Sequence, residues 1–425
     1  MIKMNKNAAF TIVAKNYIGL AMILKDSVHH YNRNVDFYIF VVDKFENPIE
    51  LPDEIIFAEN VLGISEERWR NMAFKYDLTE FCTAVKPFCF KYLFKKEYEK
   101  AIYFDPDINV FSSLSSIYEI LDNASVVLTP QIAGIHTEYK GELPEYYMMQ
   151  NGIFNMGFCA MKNTSTMRHF VDWWGVRLET MCFAERSMGY FTDQKWIDWL
   201  PGFLESNELH VSRNLGMNLA PWNYFERKVV EKDGDFYVEY REDDNPQRCD
   251  KLIFLHYAGY DYNCFKRGEI KRKRIEDLQE YEDLNDVLSV YRDRIQGLAN
   301  TFDMFINQTY SYATYENGDL IEKFHRRVYD GLHLSENTNP FKTGNGTFHE
   351  ELRRKKLFGR KERVDKVNKN NLPDIDKKIS MVNRLFSLFC KIIGYNRYVL
   401  FVRGLISYSN MGTHSFLINK DKICR

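Results

Sequence analysis

Along the first 260 or so residues the apolar positions switch between two periods. Ala9–Ala14 is a short, mostly apolar stretch of strand length. Ile18–His30 then spaces Leu20, Ile23, Leu24 and Val28 as a helix does. Val35–Val42 is β-branched and aromatic and predicts a buried strand, and Ile55–Ala58 predicts a third. Ser65–Tyr76 predicts a helix with Ser65 as its N-cap, without a capping box. Lys86–Lys95 predicts another, with Pro87 in the first turn, where a missing N–H is tolerated. Ala101–Phe104, Val126–Thr129, Gly152–Met161 and Lys251–His256 read as further strands, and Thr166–Glu179 and Asp193–Leu200 as helices. Alternation of this kind predicts an α/β fold: a mostly parallel sheet flanked by helices.

Past about residue 265 the strand signals vanish. Lys271–Arg274 is a basic run, Ile275 to about Asn317 shows polar helical patterns, and residues 335–375 read as a loop or linker. Apolar positions return at Ile379, Val382, Leu385, Phe386, Leu388, Phe389, Ile392 and Ile393, interrupted by Arg384, Lys391, Arg397 and Arg403. A basic amphipathic pattern over 376–410 fits a helix lying in a membrane interface. It fits equally a helix packed on its own domain or on a second copy in a homodimer. The expected organisation is an α/β domain over residues 1–265 and a helical extension over 266–425.

Composition narrows the classes. An apolar share of 45% and an aromatic share of 15% support a sizeable core and exclude wholesale disorder. A net charge of -2 gives no electrostatic ground for a nucleic-acid partner. Eight cysteines show no C-x-x-C and no regular framework, which in so long a chain reads as reduced thiols and a cytoplasmic setting. Lys3 and Lys6 before Ala8–Ala14 mimic a signal peptide, but Lys15-Asn16 follows the short apolar run, so a core strand is expected. No uncharged apolar stretch reaches the length of a simple membrane-spanning helix. Neither G-x-G-x-x-G after the first strand nor a P-loop occurs, against a dinucleotide enzyme or an NTPase.

Asp-x-Asp occurs at Asp105/Asp107, Asp233/Asp235 and Asp374/Asp376. Only the first follows a buried-looking strand, as a ligand at the carboxyl end of an α/β sheet requires. On an extended chain its two carboxylates share a side. Two such hard ligands suit a cation that bridges protein and diphosphate. Other residues carry their own tension. Lys86 at a helix start opposes the helix dipole unless an anion lies nearby. Asn155 in an apolar stretch needs a partner, a sugar hydroxyl or a neighbouring backbone group. Asp193 either caps its helix or binds a sugar. Trp222, beside Pro221, is a candidate platform for an acceptor sugar.

Several stretches then fall in a recognisable order: Thr11–Tyr17, Thr83–Phe88, Tyr103–Asn109, Thr129-Pro130, Asn151–Phe158, Asp172-Trp173-Trp174, Thr192-Asp193-Gln194, Asn218–Asn223 and Leu255–Asp261. Together they resemble bacterial GT-A glycosyltransferases of the group similar to glycosyltransferase family 8, over about residues 8–265. The resemblance implies a nucleotide-diphosphate-sugar donor, in the first place a UDP-sugar, with retention of configuration in a hexosyltransferase-type reaction. It implies a divalent metal, usually manganese, with magnesium as the alternative. Asp105 and Asp107 resemble the metal pair, Asp105 also reaching the ribose, and His256 resembles the third ligand. Asn16 and Tyr17 lie where the nucleoside is held, Gly259 in the His-x-x-Gly position beside the nucleotide, and Lys86 where a basic residue meets the diphosphate or sugar. Asn155, Asp193 and Gln194 lie where the donor sugar is read and its reacting face lined.

Two departures stand out. Pro106 replaces the usual small residue between the aspartates, and Gly259-Tyr260-Asp261 stands where Lys-Pro-Trp is usual. Lys266 or Arg267 is left to supply the missing base. The implied setting is surface-polysaccharide or lipid-linked glycan assembly at the inner face of a membrane, with a glycan or lipid-linked acceptor. Two rival readings remain. A sugar-phosphate nucleotidyltransferase needs a better triphosphate loop than Ala14–Gly19, and a non-catalytic glycan-binding or scaffolding protein does not need the intact Asp105, Asp107 and His256.

Overall fold

The structure is a computed structural model that describes residues 7–45, 51–52, 54–242, 248–272, 279–335, 338–359 and 374–423. The chain forms two compact units. The first comprises Met1–Gly63 and Leu78–Ser311, and the second Ile64–Asp77 and Tyr312–Arg425.

The strands, in chain order, are β1 (Asn7–Val13), β2 (Asp36–Val41), β3 (Ile55–Phe57), β4 (Lys100–Phe104), β5 (Ile108–Val110), β6 (Val126–Leu128), β7 (Phe158–Lys162), β8 (Leu209–Val211), β9 (Met217–Leu219), β10 (Arg227–Lys232), β11 (Asp235–Tyr240), β12 (Cys249–Lys251) and β13 (Phe254–His256). The main sheet has seven strands in the order β3-β2-β1-β4-β7-β6-β8. Its pairings are parallel except where β7 meets β4 and β6. The protein is thus a mixed α/β fold with a mostly parallel sheet flanked by helices, and its C-terminal part is helical. β1 and β4 are buried on both faces, as central parallel strands are.

Two smaller sheets extend the first unit. One is the meander β10-β11-β12, the other joins β5-β13-β9. The short third sheet matters most, because it ties the segment after β4 to the end of β13. Ile108 pairs with His256 across it.

Most predicted elements form within a residue or two of their expected ends. Lys86–Lys95 is a helix with Pro87 in its first turn. Ser65 caps Glu66–Lys75, accepting from Arg68 N at 3.4 Å. Three predictions change. The strand expected over Gly152–Met161 begins only at Phe158, since Gly152 sits at φ +107 and Asn155 turns its side chain onto its own backbone, accepting from Gly157 N. The helix expected over Asp193–Leu200 becomes two short turns, Gln194–Ile197 and Leu200–Phe203, with Pro201 in the second. The strand Lys251–His256 is interrupted at Leu252-Ile253. Of the other Asp-x-Asp matches, Asp233-Gly234 forms the two-residue turn of the β10–β11 hairpin, with φ +54 and +81, as Asp-Gly favours. Asp374 stands at the start of a late helix.

The packing units divide differently from the 265/266 split expected from composition. Helices Asn285–Gly297 and Ala299–Ile306 belong to the first unit, where Leu288, Tyr291, Ile295 and Phe302 share a core with Leu20, Ile23 and Tyr257. The second unit centres on Phe74, Val328, Tyr329, Phe348 and Leu352. Phe348 and Leu352 lie on a helix, Phe348–Arg354, inside the stretch read as a linker. Thr347 caps that helix by accepting from Glu350 N. Residues 336–337 and 360–373 of that stretch lie outside the described residues.

Within the second unit Ile375–Ile393 and Tyr395–Tyr408 form a helical hairpin with no buried residue on either arm. Phe386 meets Tyr398 and Phe389 meets Phe401 between the arms. The opposite stripe, Met381, Leu385, Leu388 and Ile392, is exposed. After the hairpin the chain returns, and Ile418 and Ile423 join the unit's core. Among the described residues no helix is long and apolar enough to cross a membrane.

Candidate functional site

The Asp105–Asp107 turn is built by backbone geometry. Asp105 N donates to Gly157 O at 2.7 Å, and Ile108 N donates back to Asp105 O at 3.1 Å. Pro106 thereby takes the second position of a four-residue turn, where its fixed φ is favoured. Tyr257 N donates to Asp107 O at 2.7 Å, which locks β13 to the same turn. His256 Nε2 comes within 3.1 Å of Asp107 Oδ1 and 3.7 Å of Asp105 Oδ2. One ligand atom from each of the three lies within 4.8 Å of the others, a group that could hold a metal ion.

Neighbours fix these side chains. Tyr103 donates its hydroxyl to Asp105 Oδ1 at 2.5 Å, and Tyr262 donates to Asp107 Oδ2 at 3.1 Å. The Trp222 indole stands edge-on to the His256 ring, with centroids 5.2 Å apart. Trp222 is itself buried, so it is not an open platform for a sugar. A Cβ on Gly157 would lie 2.5 Å from His256 Cε1, so only glycine lets the ring sit there. Among the buried polar atoms without a hydrogen-bond partner are His256 Nδ1, Trp222 Nε1, Asn218 Oδ1 and Asn16 Oδ1.

The electrostatics separate the two carboxylates. Burial pushes the Asp105 carboxyl up, against the pull of Lys86 and His256. Burial acts upward on Asp107 too, but the charge and hydrogen bond of His256, with the Tyr262 hydroxyl, hold it below the ordinary range. Burial would lower His256, yet Asp107 and then Asp105 carry it upward. Two carboxylates and an imidazole in this arrangement form a donor set of mixed oxygen and nitrogen that fits a divalent cation.

Beside this cluster lies a buried ion pair. Lys86 Nζ is 2.5 Å from Asp193 Oδ2, donates to Met156 O at 2.8 Å and stands 3.9 Å from the Tyr103 ring centroid. Lys86 is 1% exposed and Asp193 2%, so neither charge is answered by bulk water. Asp193 makes no side-chain cap to its helix; its other oxygen accepts from Thr192 Oγ1. Gln194 accepts from Met156 N at 3.0 Å and donates to Asn151 O at 3.1 Å. Asn155 Oδ1 accepts from Gly157 N and from Asn218 Nδ2, each at 3.1 Å. The sequence-predicted Lys86, Asp105, Asp107, Asn155, Asp193, Gln194 and His256 are thus linked through Tyr103, Met156 and Gly157.

Asn16 and Tyr17 follow β1 on a single 3-10 turn, Lys15–Tyr17. Asp43 pins that turn by accepting from Lys15 N. The Tyr17 ring reaches Tyr262 at 6.2 Å, and Tyr262 in turn donates to Asp107, which connects the first loop to the cluster of Asp105, Asp107 and His256. Gly259 lies three residues past His256 at φ +77. Lys266 and Arg267 are engaged elsewhere, Lys266 with Asp303 and Arg267 with Glu269.

Sequence reasoning missed Tyr103, Gly157, Asn218 and Tyr262 as individual contributors, although all lie in or beside the motifs. It also had no signal for backbone strain. Thr192 at φ +47 and Asn218 at φ +58 adopt a conformation costly for a side chain, and both flank the site.

No family model matches the chain. The uncharacterized protein YfnF of Bacillus subtilis (strain 168) is 25% identical over 260 residues, 60% of this chain and 82% of that one. YfnD of the same organism is 26% identical over 257 residues, 59% of this chain and 76% of that one. Among solved structures, the galactosyltransferase LgtC in complex with donor and acceptor sugar analogs is similar at 16% identity, covering 69% of this chain and 95% of that one, with a TM-score of 0.38. The bifunctional glycosyltransferase WbbM in its apo form is similar at 14% identity, covering 72% of this chain and 52% of that one, with a TM-score of 0.40. The apo-form glycosyltransferase GlyE of Streptococcus pneumoniae TIGR4 is similar at 12% identity, covering 73% and 67%, with a TM-score of 0.35. With likeness this distant, the functional reading rests on the site itself.

Proposed function

We propose that the chain is a metal-dependent glycosyltransferase of the GT-A kind, similar to family 8. It would take a nucleotide-diphosphate-sugar, a UDP-sugar in the first place, and transfer the sugar with retention to a glycan or lipid-linked acceptor. The carrying observation is the convergence of Asp105, Asp107 and His256, delivered from β4 and β13 by the short third sheet. A scaffold that binds no metal does not need that geometry.

In this reading Asp105, Asp107 and His256 hold manganese, which accepts the imidazole nitrogen more readily than magnesium does. When bound, the metal supplies Lewis acidity toward the diphosphate. The chain's own groups do the rest. Asn16 and Tyr17 seat the nucleoside beside Tyr262. Gly259, lacking a side chain, admits the nucleotide close to the backbone. Lys86 adds positive potential where charge develops on the leaving diphosphate. Asp193 holds Lys86, and Gln194 braces Asn151–Met156, so that Asn155 and Asn218 face the donor sugar. Asn218 Oδ1, buried and unpaired, is the polar atom available to a sugar hydroxyl.

The test is donor turnover. Sugar nucleotides are screened by thermal shift with and without manganese, where a true donor stabilises the fold by mass action. Hydrolysis or transfer is then measured with the best one. Asp107→Ala should lose at least about a hundredfold in turnover with the fold intact, as expected when a metal ligand and its electrostatic stabilisation go. If the wild-type chain turns over no sugar nucleotide while binding glycans, the scaffold reading wins.

The exposed hairpin supports the proposed setting at the inner face of a membrane. From Lys377 to Lys420 the sequence carries seven Lys or Arg and no Asp or Glu. Basic charge beside an exposed apolar stripe suits an anionic lipid surface. A second copy of the chain is the competing occupant.

A further inference from the structure

A bound diphosphate would find Lys86 already paired with Asp193, and the bases expected just after Gly259 are engaged elsewhere. A third basic residue meets the same place from farther along the chain. Arg272 makes a bridge with Tyr260, and its guanidinium lies 5.4 Å from the Tyr260 ring centroid. It is 6% exposed. Its Nη2 pairs with Glu142 Oε2 at 2.8 Å, while Nε and Nη1 have no hydrogen-bond partner. A guanidinium carries five donors in a planar fork, and leaving most of them buried and unanswered is costly. The fork suits phosphate oxygens, which take two parallel bonds from it.

Its place in the site follows from three neighbours. A Cβ on Gly259 would meet nothing within 4 Å except Arg272 Nη2, at 4.0 Å, so that side of the backbone is open. Gly259 is only three residues from His256, about 10 Å of chain at most. Leu143, next to Glu142, and Ala258 both pack against the cluster of Met148, Ala220 and Trp222, and Trp222 touches the His256 ring. The loop carrying Glu142 is separately anchored at its start, where Glu226 accepts from Ala133 N at 3.0 Å and Gly134 N at 2.8 Å. It does not depend on Glu142 alone.

We propose that Arg272 is the second cation of the diphosphate site and that Glu142 is a placeholder anion, displaced when phosphate oxygens arrive. The inference rests on the function proposed above and adds a residue outside the motif series. The test is equilibrium binding of UDP, GDP, CDP and dTDP, each with its nucleoside, to the full chain with manganese. Circular dichroism and thermal midpoint check the fold of each variant. Arg272→Ala should weaken diphosphate binding about tenfold or more, the worth of a charge-assisted bond, and leave nucleoside binding unchanged. Arg272→Lys should restore part of it. Glu142→Gln should strengthen diphosphate binding severalfold, because the internal competitor loses its charge. Unchanged diphosphate binding in Arg272→Ala, equal loss for the nucleoside, or weakening by Glu142→Gln overturns the proposal. A wild-type chain that binds none of the four diphosphates overturns the functional reading and this inference together. A wild-type chain that binds one, with Arg272→Ala binding equally well, overturns this inference alone.

Discussion

Gly157 shows how one residue can decide where a candidate metal ligand sits without being a ligand itself. Its hydrogen is the only substituent the His256 ring allows beneath it. Gly157→Ala should displace the ring and lower manganese affinity by about tenfold or more, the scale on which residues orienting a ligand act. Calorimetric titration with manganese reads this, and an unchanged affinity would show that the ring has room to move. Lys86 carries a different cost. Lys86→Met leaves the Asp193 carboxylate buried and alone, which costs about 3–5 kcal/mol of stability. Lys86→Met with Asp193→Leu should recover most of that stability in a denaturant titration and still show no turnover. At this scale much of the grouping of the candidate site residues was legible. Asp105, Asp107 and His256 announce themselves by chemistry and order, and Lys86 by its awkward place at a helix start. The partnership of Lys86 with Asp193 was not legible, because it joins segments 107 residues apart. Nor were the strained backbones of Thr192 and Asn218, since a positive φ leaves no mark on a threonine or an asparagine.

At the scale of elements, reading was best where one period ran uninterrupted. Ile18–Tyr31 and Lys86–Lys95 form as read because their apolar spacing and termini agree. It was poorer where the chain bends, as in Gly152–Gly157, whose apolar residues imitate a strand but whose backbone turns before Phe158. The helical hairpin was legible as a pattern, though not as two arms. Its exposed stripe makes a prediction. Leu385→Ser with Leu388→Ser should cut sedimentation with anionic vesicles severalfold while sparing turnover of a soluble donor. If instead vesicle binding holds and light scattering shows a dimer falling to monomer, the stripe belongs to a second copy. The pairing of Asp319 with His349 and Arg353 on the helix Phe348–Arg354 has its own acid dependence. Burial would raise Asp319, but Arg353, His349 and Asn317 outweigh it and hold the carboxyl down to about 2. A pKa lowered on folding stabilises above the unfolded value, about 3.9, and loses that contribution as pH falls toward 2. The difference in thermal midpoint between the wild type and Asp319→Asn should therefore be near full at pH 5, small at pH 2 and gone below it.

For the whole molecule, length suggested two or three domains and the loss of strand signals suggested a cut near 265. Packing puts the division elsewhere, because Asn285–Ile306 supplies apolar faces to the first unit. The local pattern does not reveal that Ile64–Asp77 belongs with residues beyond 311. What joins them is long-range. Arg326 Nη1 donates to the carbonyl oxygens of Ala73, Phe74 and Tyr76, the first of them 253 residues away, and Trp69 Nε1 donates to Tyr312 at 3.0 Å. Those bonds impose an order of birth on the chain. On the ribosome, Glu66–Lys75 emerges long before Arg326 exists, a delay on the order of tens of seconds at ordinary elongation rates. Through that interval Trp69, Met72 and Phe74 have none of their final neighbours from beyond residue 311. A nascent chain arrested at Ser311 should bind more of a dye that reports exposed apolar surface than the full chain, whose Ile418 and Ile423 complete that core. The second unit closes around its earliest segment last, so it is there, and not at the cluster of Asp105, Asp107 and His256, that a nascent chain would most need a chaperone.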